Sequence, residues 1–290
     1  MGAGSWSVSS FASYSAANNK SYDEDTGRVF GQVFTKKGMD AGLDPQNFKI
    51  RECLDTEEHP NTIPVILVLD VTGSMGLSCK ETAETLGIIM TNLYKKYKDI
   101  EFCVMGIGDL AYDRAPIQMS QFESDIRIAE ALDNIYIEGG GGGNRYESYT
   151  AAWWMALNRT RLDCHKRGKK GIIITLGDEP MNPYLPADKL KKAVGDPVQA
   201  DIKTPELYEE VSKKFDIYHI AVGDRDNMYE HYAMEIAGTF GQLLGDRLKV
   251  SSINELSGTI EDCIDDSLGA VEIVSGDAAP NVNENGEISW

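Results

Sequence analysis

The stretch Ile63-Pro-Val-Ile-Leu-Val-Leu-Asp70-Val-Thr72-Gly-Ser74-Met75 decides the fold. From Ile63 to Leu69 it is apolar with no polar alternation, the pattern of a central parallel strand buried on both faces. The run stops at Asp70, and a helical pattern follows from Glu81. An acid and two hydroxyls, Asp70, Thr72 and Ser74, therefore stand at alternate positions where a strand ends and a helix is about to begin. All three can turn toward one point above the sheet edge. One charged oxygen ligand with two neutral ones suits a hard divalent cation that keeps several waters, Mg2+ ahead of Mn2+ or Ca2+. Gly73 lets the backbone turn tightly between the hydroxyls. The same residues also suit a plainer role, in which Thr72 and Ser74 cap the helix and Asp70 is solvated in the turn.

Outward from this stretch, β-rich runs at 101–107, 171–176, 216–222 and, shorter, 247–250 each end in a Gly/Asp-rich turn. Amphipathic patterns at 81–97, 124–134, 147–166, 204–214, 228–240 and 253–268 lie between them, and 117–122 alternates like an edge strand. The alternation predicts one α/β domain over residues 63–270, a doubly wound, Rossmann-like, mainly parallel sheet flanked by helices. Such a sheet binds ligands beyond the carboxyl ends of its strands. Residues 1–62 are rich in Ser, Asn, Gly and aromatics and weak in periodicity. They are expected to be an extension that packs on the domain or on a partner. Residues 271–290 carry four acidic residues and no basic one, and are expected to form a mobile tail.

A chain of 290 residues at 42% hydrophobic and 26% charged is long enough for a large core, which excludes global disorder and collagen-like repetition. Its 28 basic and 46 acidic side chains leave a formal charge of −18. Nucleic acid and anionic membrane are thus poor partners, repelled at long range, while a metal cation or a basic protein surface is attracted. The first residues lack the cationic start and apolar run of a signal peptide, and no segment nears the roughly 20 apolar residues of a membrane span. A cytoplasmic protein is expected, or one packaged into a virion particle made inside a cell. Five scattered cysteines without a CxxC pair signal neither a disulfide framework nor a zinc site.

Asp70-Val-Thr72-Gly-Ser74 resembles the metal-ion-dependent adhesion site of von Willebrand factor A (vWA) domains, whose pattern is Asp-x-Ser-x-Ser. The resemblance covers residues 60–270 and points to the intracellular prokaryotic or phage type. It implies a vWA-like fold and a Mg2+ completed by a Thr from a second loop and an Asp from a third. That ion would bridge to an acidic group on a bound protein. The second loop here reads Glu138-Gly-Gly-Gly-Gly-Gly-Asn144-Arg-Tyr-Glu147-Ser148, without the usual Thr, so Glu147, Ser148 or Asn144 has to substitute. Glu147 would add a second carboxylate, raising cation affinity and weakening the pull on an acidic partner. The third loop reads Thr175-Leu-Gly177-Asp178-Glu179-Pro180, with the Asp displaced by one position from the family's Thr-Asp-Gly-Glu. Asp178 is the expected ligand there, directly or through water, and Glu179 the fallback.

Asp109 and Asp113, with Arg114, end another strand. They either shape a binding rim beside Asp70 or satisfy one another in a turn. No dinucleotide fingerprint or phosphate-binding loop follows any strand. A dehalogenase-like phosphatase wants an acid where Thr72 stands. Ser74 lacks the flanking Gly-x-Ser-x-Gly of a hydrolase elbow, and the nearest histidine in sequence, His59, precedes the strand. Inside a strand, His219 is expected to be a satisfied core residue. The resemblance implies a non-enzymatic, cation-dependent protein-binding module, an adaptor of the kind that works with MoxR-type AAA ATPases. One alternative is a self-assembling homo-oligomer in which the metal is a brace. Another is a metal-dependent hydrolase built on Asp70, Glu147 and Asp178 around a metal-bound water.

Overall fold

Six strands form one sheet: β1 (Ile63–Asp70), β2 (Ile100–Ile107), β3 (Ile117–Met119), β4 (Gly171–Gly177), β5 (Phe215–Gly223) and β6 (Leu248–Ser252). Their order is β6-β5-β4-β1-β2-β3. All neighbours are parallel except β3, which runs antiparallel to β2 at one edge. The computed structural model describes residues 4–139, 145–224, 227–269, 281–282 and 288–289. The central strands are buried along almost their whole length, as their unbroken apolar runs require.

Helices cover both faces of the sheet. Val65, Leu67 and Leu69 of β1 pack with α1 (Val8–Ala17), α2 (Gly76–Lys96), α3 (Arg127–Asp133) and α8 (Leu256–Leu268). Ile66 and Val68 pack on the other side with α4 (Thr150–Arg159), α5 (Ala187–Val194), α6 (Thr204–Val211) and α7 (Tyr229–Leu244). At about 1.5–3 kcal/mol for each large apolar side chain withdrawn from water, these two cores hold the layers together. Helix α2 starts five residues before its periodicity is legible, directly after a 3-10 turn at Gly73–Met75. Leu86, Ile89, Met90 and Leu93 give it a core stripe, and Lys95 and Lys96 sit at the negative end of its dipole. β1 lies between β2 and β4, so Asp70 and the residue after β4 stand side by side at the carboxyl edge of the sheet.

The described part of residues 1–62 packs on the domain. Trp6 Nε1 donates to Thr91 Oγ1 at 3.2 Å, and the Phe11 ring occupies space that a Cβ on Gly87 would need, 2.4 Å from Phe11 Cε1. Arg28 grips Glu81 through two bonds (2.9 and 2.6 Å) and reaches Glu84 at 3.1 Å. Further along, Arg51–Cys53 pairs in parallel with Thr160–Leu162. That pairing is why α4 stops at Arg159 instead of running through 166: Thr160 is recruited into extended structure. Helices α1 and α5 were not expected. Of the tail, 281–282 pair antiparallel with 288–289, and the rest lies outside the described residues. All five cysteines are free and buried. Among the described residues no helix is long and apolar enough to cross a membrane.

Candidate functional site

β1 delivers Asp70 to the carboxyl edge of the sheet with no exposed surface. Its Oδ1 accepts from Thr72 N (2.9 Å) and Thr72 Oγ1 (2.5 Å), and its Oδ2 accepts from Tyr149 Oη (2.6 Å). Ser74, in the 3-10 turn before α2, donates to Asp178 Oδ1 at 3.2 Å. Asp178 follows β4, and its Oδ2 accepts from Met228 N at 2.8 Å where α7 begins. The ends of β1 and β4 and the start of α7 thus meet around two buried carboxylates.

The donors fit a small hard cation. Thr72 and Ser74 each spend a proton on a carboxylate and keep oxygen lone pairs, while Asp70 Oδ2 and both Asp178 oxygens each retain one acceptor position. Two carboxylates with hydroxyls and water is a donor set that Mg2+ accepts. No group of three or more His, Cys, Asp or Glu side chains that could hold a metal occurs among the described residues.

The surrounding acids resist ionisation. Burial, then the Asp178 charge, pushes the Asp70 carboxyl up, and burial does the same to Asp178. Glu147 is raised by burial and then by Asp70, Glu179, Asp109 and Asp113. Glu179 is pushed up to about 7 by burial and by Asp70, Asp178 and Asp109.

The remaining candidates are placed unequally. Glu147 is 3% exposed, and its Oε2 has no hydrogen-bond partner. Ser148 Oγ accepts from Leu110 N at 3.0 Å, tying the loop after β2 to the loop before α4. Asn144 lies outside the described residues. Asp109 and Asp113 close a turn on each other: Asp113 Oδ2 accepts from Asp109 N (2.7 Å), and Asp109 Oδ1 accepts from Ala111 N (2.7 Å). Burial pushes Asp113 up to about 6, and Asp109 Oδ2 is left buried without a partner.

Two features escaped the sequence reading. Tyr149, just before α4, is the hydrogen-bond donor to Asp70 and also accepts from Glu179 N at 3.3 Å. The signal for it was Gly177: a Cβ there would lie 2.4 Å from Tyr149 Oη, so the end of β4 has to lack a side chain. The expectation of a satisfied His219 is corrected. Neither ring nitrogen has a hydrogen-bond partner, and the ring is held by stacking on Phe240 (3.6 Å, 9°). Burial pushes its pKa down to about 3, because the charged form would lie unsolvated in the core.

No family model matches the chain, and no curated protein matches it. Among solved structures it is similar to the open conformation of the pilus adhesin SpaC from Lactobacillus rhamnosus GG, at 11% identity and a TM-score of 0.45 over 73% of this chain and 31% of the adhesin. It is also similar to proximal thread matrix protein 1 from the mussel byssus, at 13% identity and a TM-score of 0.41 over 75% of this chain and 47% of that one. The chain thus spans about a third of the adhesin and under half of the matrix protein.

Proposed function

We propose that the chain is a divalent-cation-dependent protein-binding module of the vWA kind, with Asp70, Thr72, Ser74 and Asp178 holding Mg2+; Glu147, expected as an added carboxylate, does not join Asp70 and Asp178 in a metal-holding group. The observation that carries this reading is the contact of Ser74 with Asp178 at 3.2 Å beside the buried Asp70, which gathers the acid-hydroxyl motif and the third-loop acid. The strand order, the antiparallel edge strand β3 and helices on both faces support a doubly wound, vWA-like assignment. Held there, Mg2+ would supply a Lewis-acidic position for an oxygen ligand of the partner. Thr72 and Ser74 orient the carboxylates, Tyr149 holds Asp70 from below, and Asp178 is fixed to α7 through Met228 N. We assign the role of an adaptor, with an AAA ATPase of the MoxR kind as the partner class.

Calorimetric titration of Mg2+, Mn2+ and Ca2+ into metal-stripped protein, beside Asp70→Ala checked for folding by circular dichroism, tests the reading. Saturable binding to the wild type that weakens by at least about tenfold, roughly 1.4 kcal/mol, in the folded variant is expected. Absence of binding to the wild type, or equal binding to both, overturns it.

A further inference from the structure

A cavity of about 550 Å3 opens between the segment that follows α1, residues 32–36 and the end of α3. That size falls within the range of about 300–1,000 Å3 typical of small-ligand sites. Asn18, Asn19, Gln32, Thr35 and Asn134 line it, the first four exposed and the last half-buried. The side chains of Asn19, Gln32, Thr35 and Asn134 hydrogen-bond no other group among the described residues, and Asn18 uses only its Nδ2, on Tyr14 O at 2.9 Å. The charges on the wall are already matched. Lys20 Nζ lies 2.5 and 2.6 Å from the two Asp133 oxygens, Tyr14 Oη donates to the same carboxylate at 2.8 Å, and Lys36 Nζ lies 3.5 Å from Asp40 Oδ2. Asn19 (φ 56°) and Phe34 (φ 55°) are the only non-glycine residues with positive φ among the described residues, and both line this cavity. Asparagine tolerates that conformation, whereas for phenylalanine it is strained, and strain of this kind gathers where a ligand is held.

We propose that this cavity binds one ring of a neutral saccharide, through the amides of Asn19, Gln32 and Asn134 and the ring of Phe34. A side-chain amide is a donor and an acceptor at once, as a hydroxyl is, so one amide can meet two neighbouring hydroxyls of a sugar ring. Phe34 is half-buried and supplies an apolar aromatic surface for the C–H face of that ring. With both lysines paired, no cation is left over for a phosphate or carboxylate. An apolar ligand would strand the amides without partners. An extended peptide carries its backbone hydrogen-bonding groups along two edges, whereas the amides here come from three separate segments around a hollow. That arrangement suits a compact ligand with hydroxyls on all sides. The inference does not depend on the cation site, and it gives the segment from Asn18 to Lys36 a task besides packing on the domain.

The test is an NMR titration of the 15N-labelled full chain with the methyl glycosides of glucose, galactose, mannose and N-acetylglucosamine. Sorbitol, which has the hydroxyls without the ring, and a blocked trialanine peptide serve as controls. Saturable shifts of the Asn19, Gln32 and Asn134 side-chain NH2 signals are expected with at least one glycoside, with or without Mg2+. Gln32→Ala and Asn134→Ala remove side chains that bond no other described group, so each should weaken binding by roughly three- to tenfold, the worth of one hydrogen bond, while the rest of the spectrum stays in place. Phe34→Leu keeps apolar bulk without the aromatic face and should weaken binding as well. If no glycoside shifts these signals, if the amide variants bind as tightly as the wild type, or if sorbitol responds equally, the inference is overturned. An equal or larger response to the peptide assigns the hollow to a protein segment and overturns it too.

Discussion

Tyr149 Oη lies 2.6 Å from Asp70 Oδ2 while accepting from Glu179 N at 3.3 Å, so one phenol ties the end of β1 to the loop after β4. Burial pushes the phenol well above its usual range, so it remains a proton donor at any working pH. Its ring packs edge-on to His219 at 5.3 Å, and the stacked His219–Phe240 pair backs it. The position of Asp70 is therefore set from the core side by an aromatic layer.

Tyr149→Phe removes that donor and keeps the ring. The Asp70 carboxyl, already raised, rises further, and at pH 7 protons compete more strongly with Mg2+. A bond of this charge-assisted kind is worth about 1.5–3 kcal/mol, so apparent Mg2+ affinity should drop by roughly tenfold at pH 7. The gap should narrow by pH 9, where both proteins are ionised. Calorimetry at the two pH values checks this, and an undiminished gap at pH 9 would refute it.

Glu101, far from the site at the start of β2, is 1% exposed, and its Oε2 is unpartnered. Burial, the largest cause, pushes its pKa from 4.5 to about 7. A raised folded-state pKa means that the native state holds the proton longer, so this contribution to stability is full below pH 4.5 and lost as pH rises to about 7. Glu101→Gln should remove that slope and stabilise the protein at pH 8 by no more than about 3 kcal/mol. Urea melts at pH 4.5 and 8 decide it: a variant no more stable than the wild type at pH 8 would show that the carboxylate is compensated.

Phe11→Ala empties the seat above Gly87 on α2. Loss of a buried phenylalanine costs about 3–5 kcal/mol when the cavity does not collapse. The unfolding midpoint should fall accordingly, and trypsin should cut at Lys20 or Arg28 under native conditions before the domain unfolds. An unchanged midpoint with unchanged resistance to cleavage would mean that residues 4–30 contribute nothing to the folded domain.

The layers of this protein are legible where burial leaves no freedom. Residues 63–69 and 171–174 are all apolar because helices press on both faces, and such runs are unmistakable. Helix α5 is hidden because only Leu190 and Val194, one turn apart, reach the core. Helix α1 is hidden because only Phe11 and Ser15 are buried in a Ser/Ala-rich segment. In the site, Asp70, Ser74 and Asp178 stand out since each follows a readable strand end. Tyr149 does not, because a phenol reaching 79 positions back along the chain leaves no local pattern. Ser148 drew notice for its hydroxyl, which accepts from the backbone of Leu110.

The parallel pairing of Arg51–Cys53 with Thr160–Leu162 bears on the order of events at the ribosome. Cys53 leaves the ribosome 109 residues ahead of Leu162, which at about 5–20 residues per second is a wait of roughly 5 to 20 s. Through that interval the first short strand has a bare edge and no mate, while α2 and β2 are already available to fold beneath it. The segment that carries Trp6, Phe11 and Arg28 can settle on α2 early, whereas the seam at Thr160 closes late. A slow translation step between residues 54 and 160 therefore lengthens the exposure of one β-edge, the moment at which a nascent copy is most open to pairing with its neighbour on the same message.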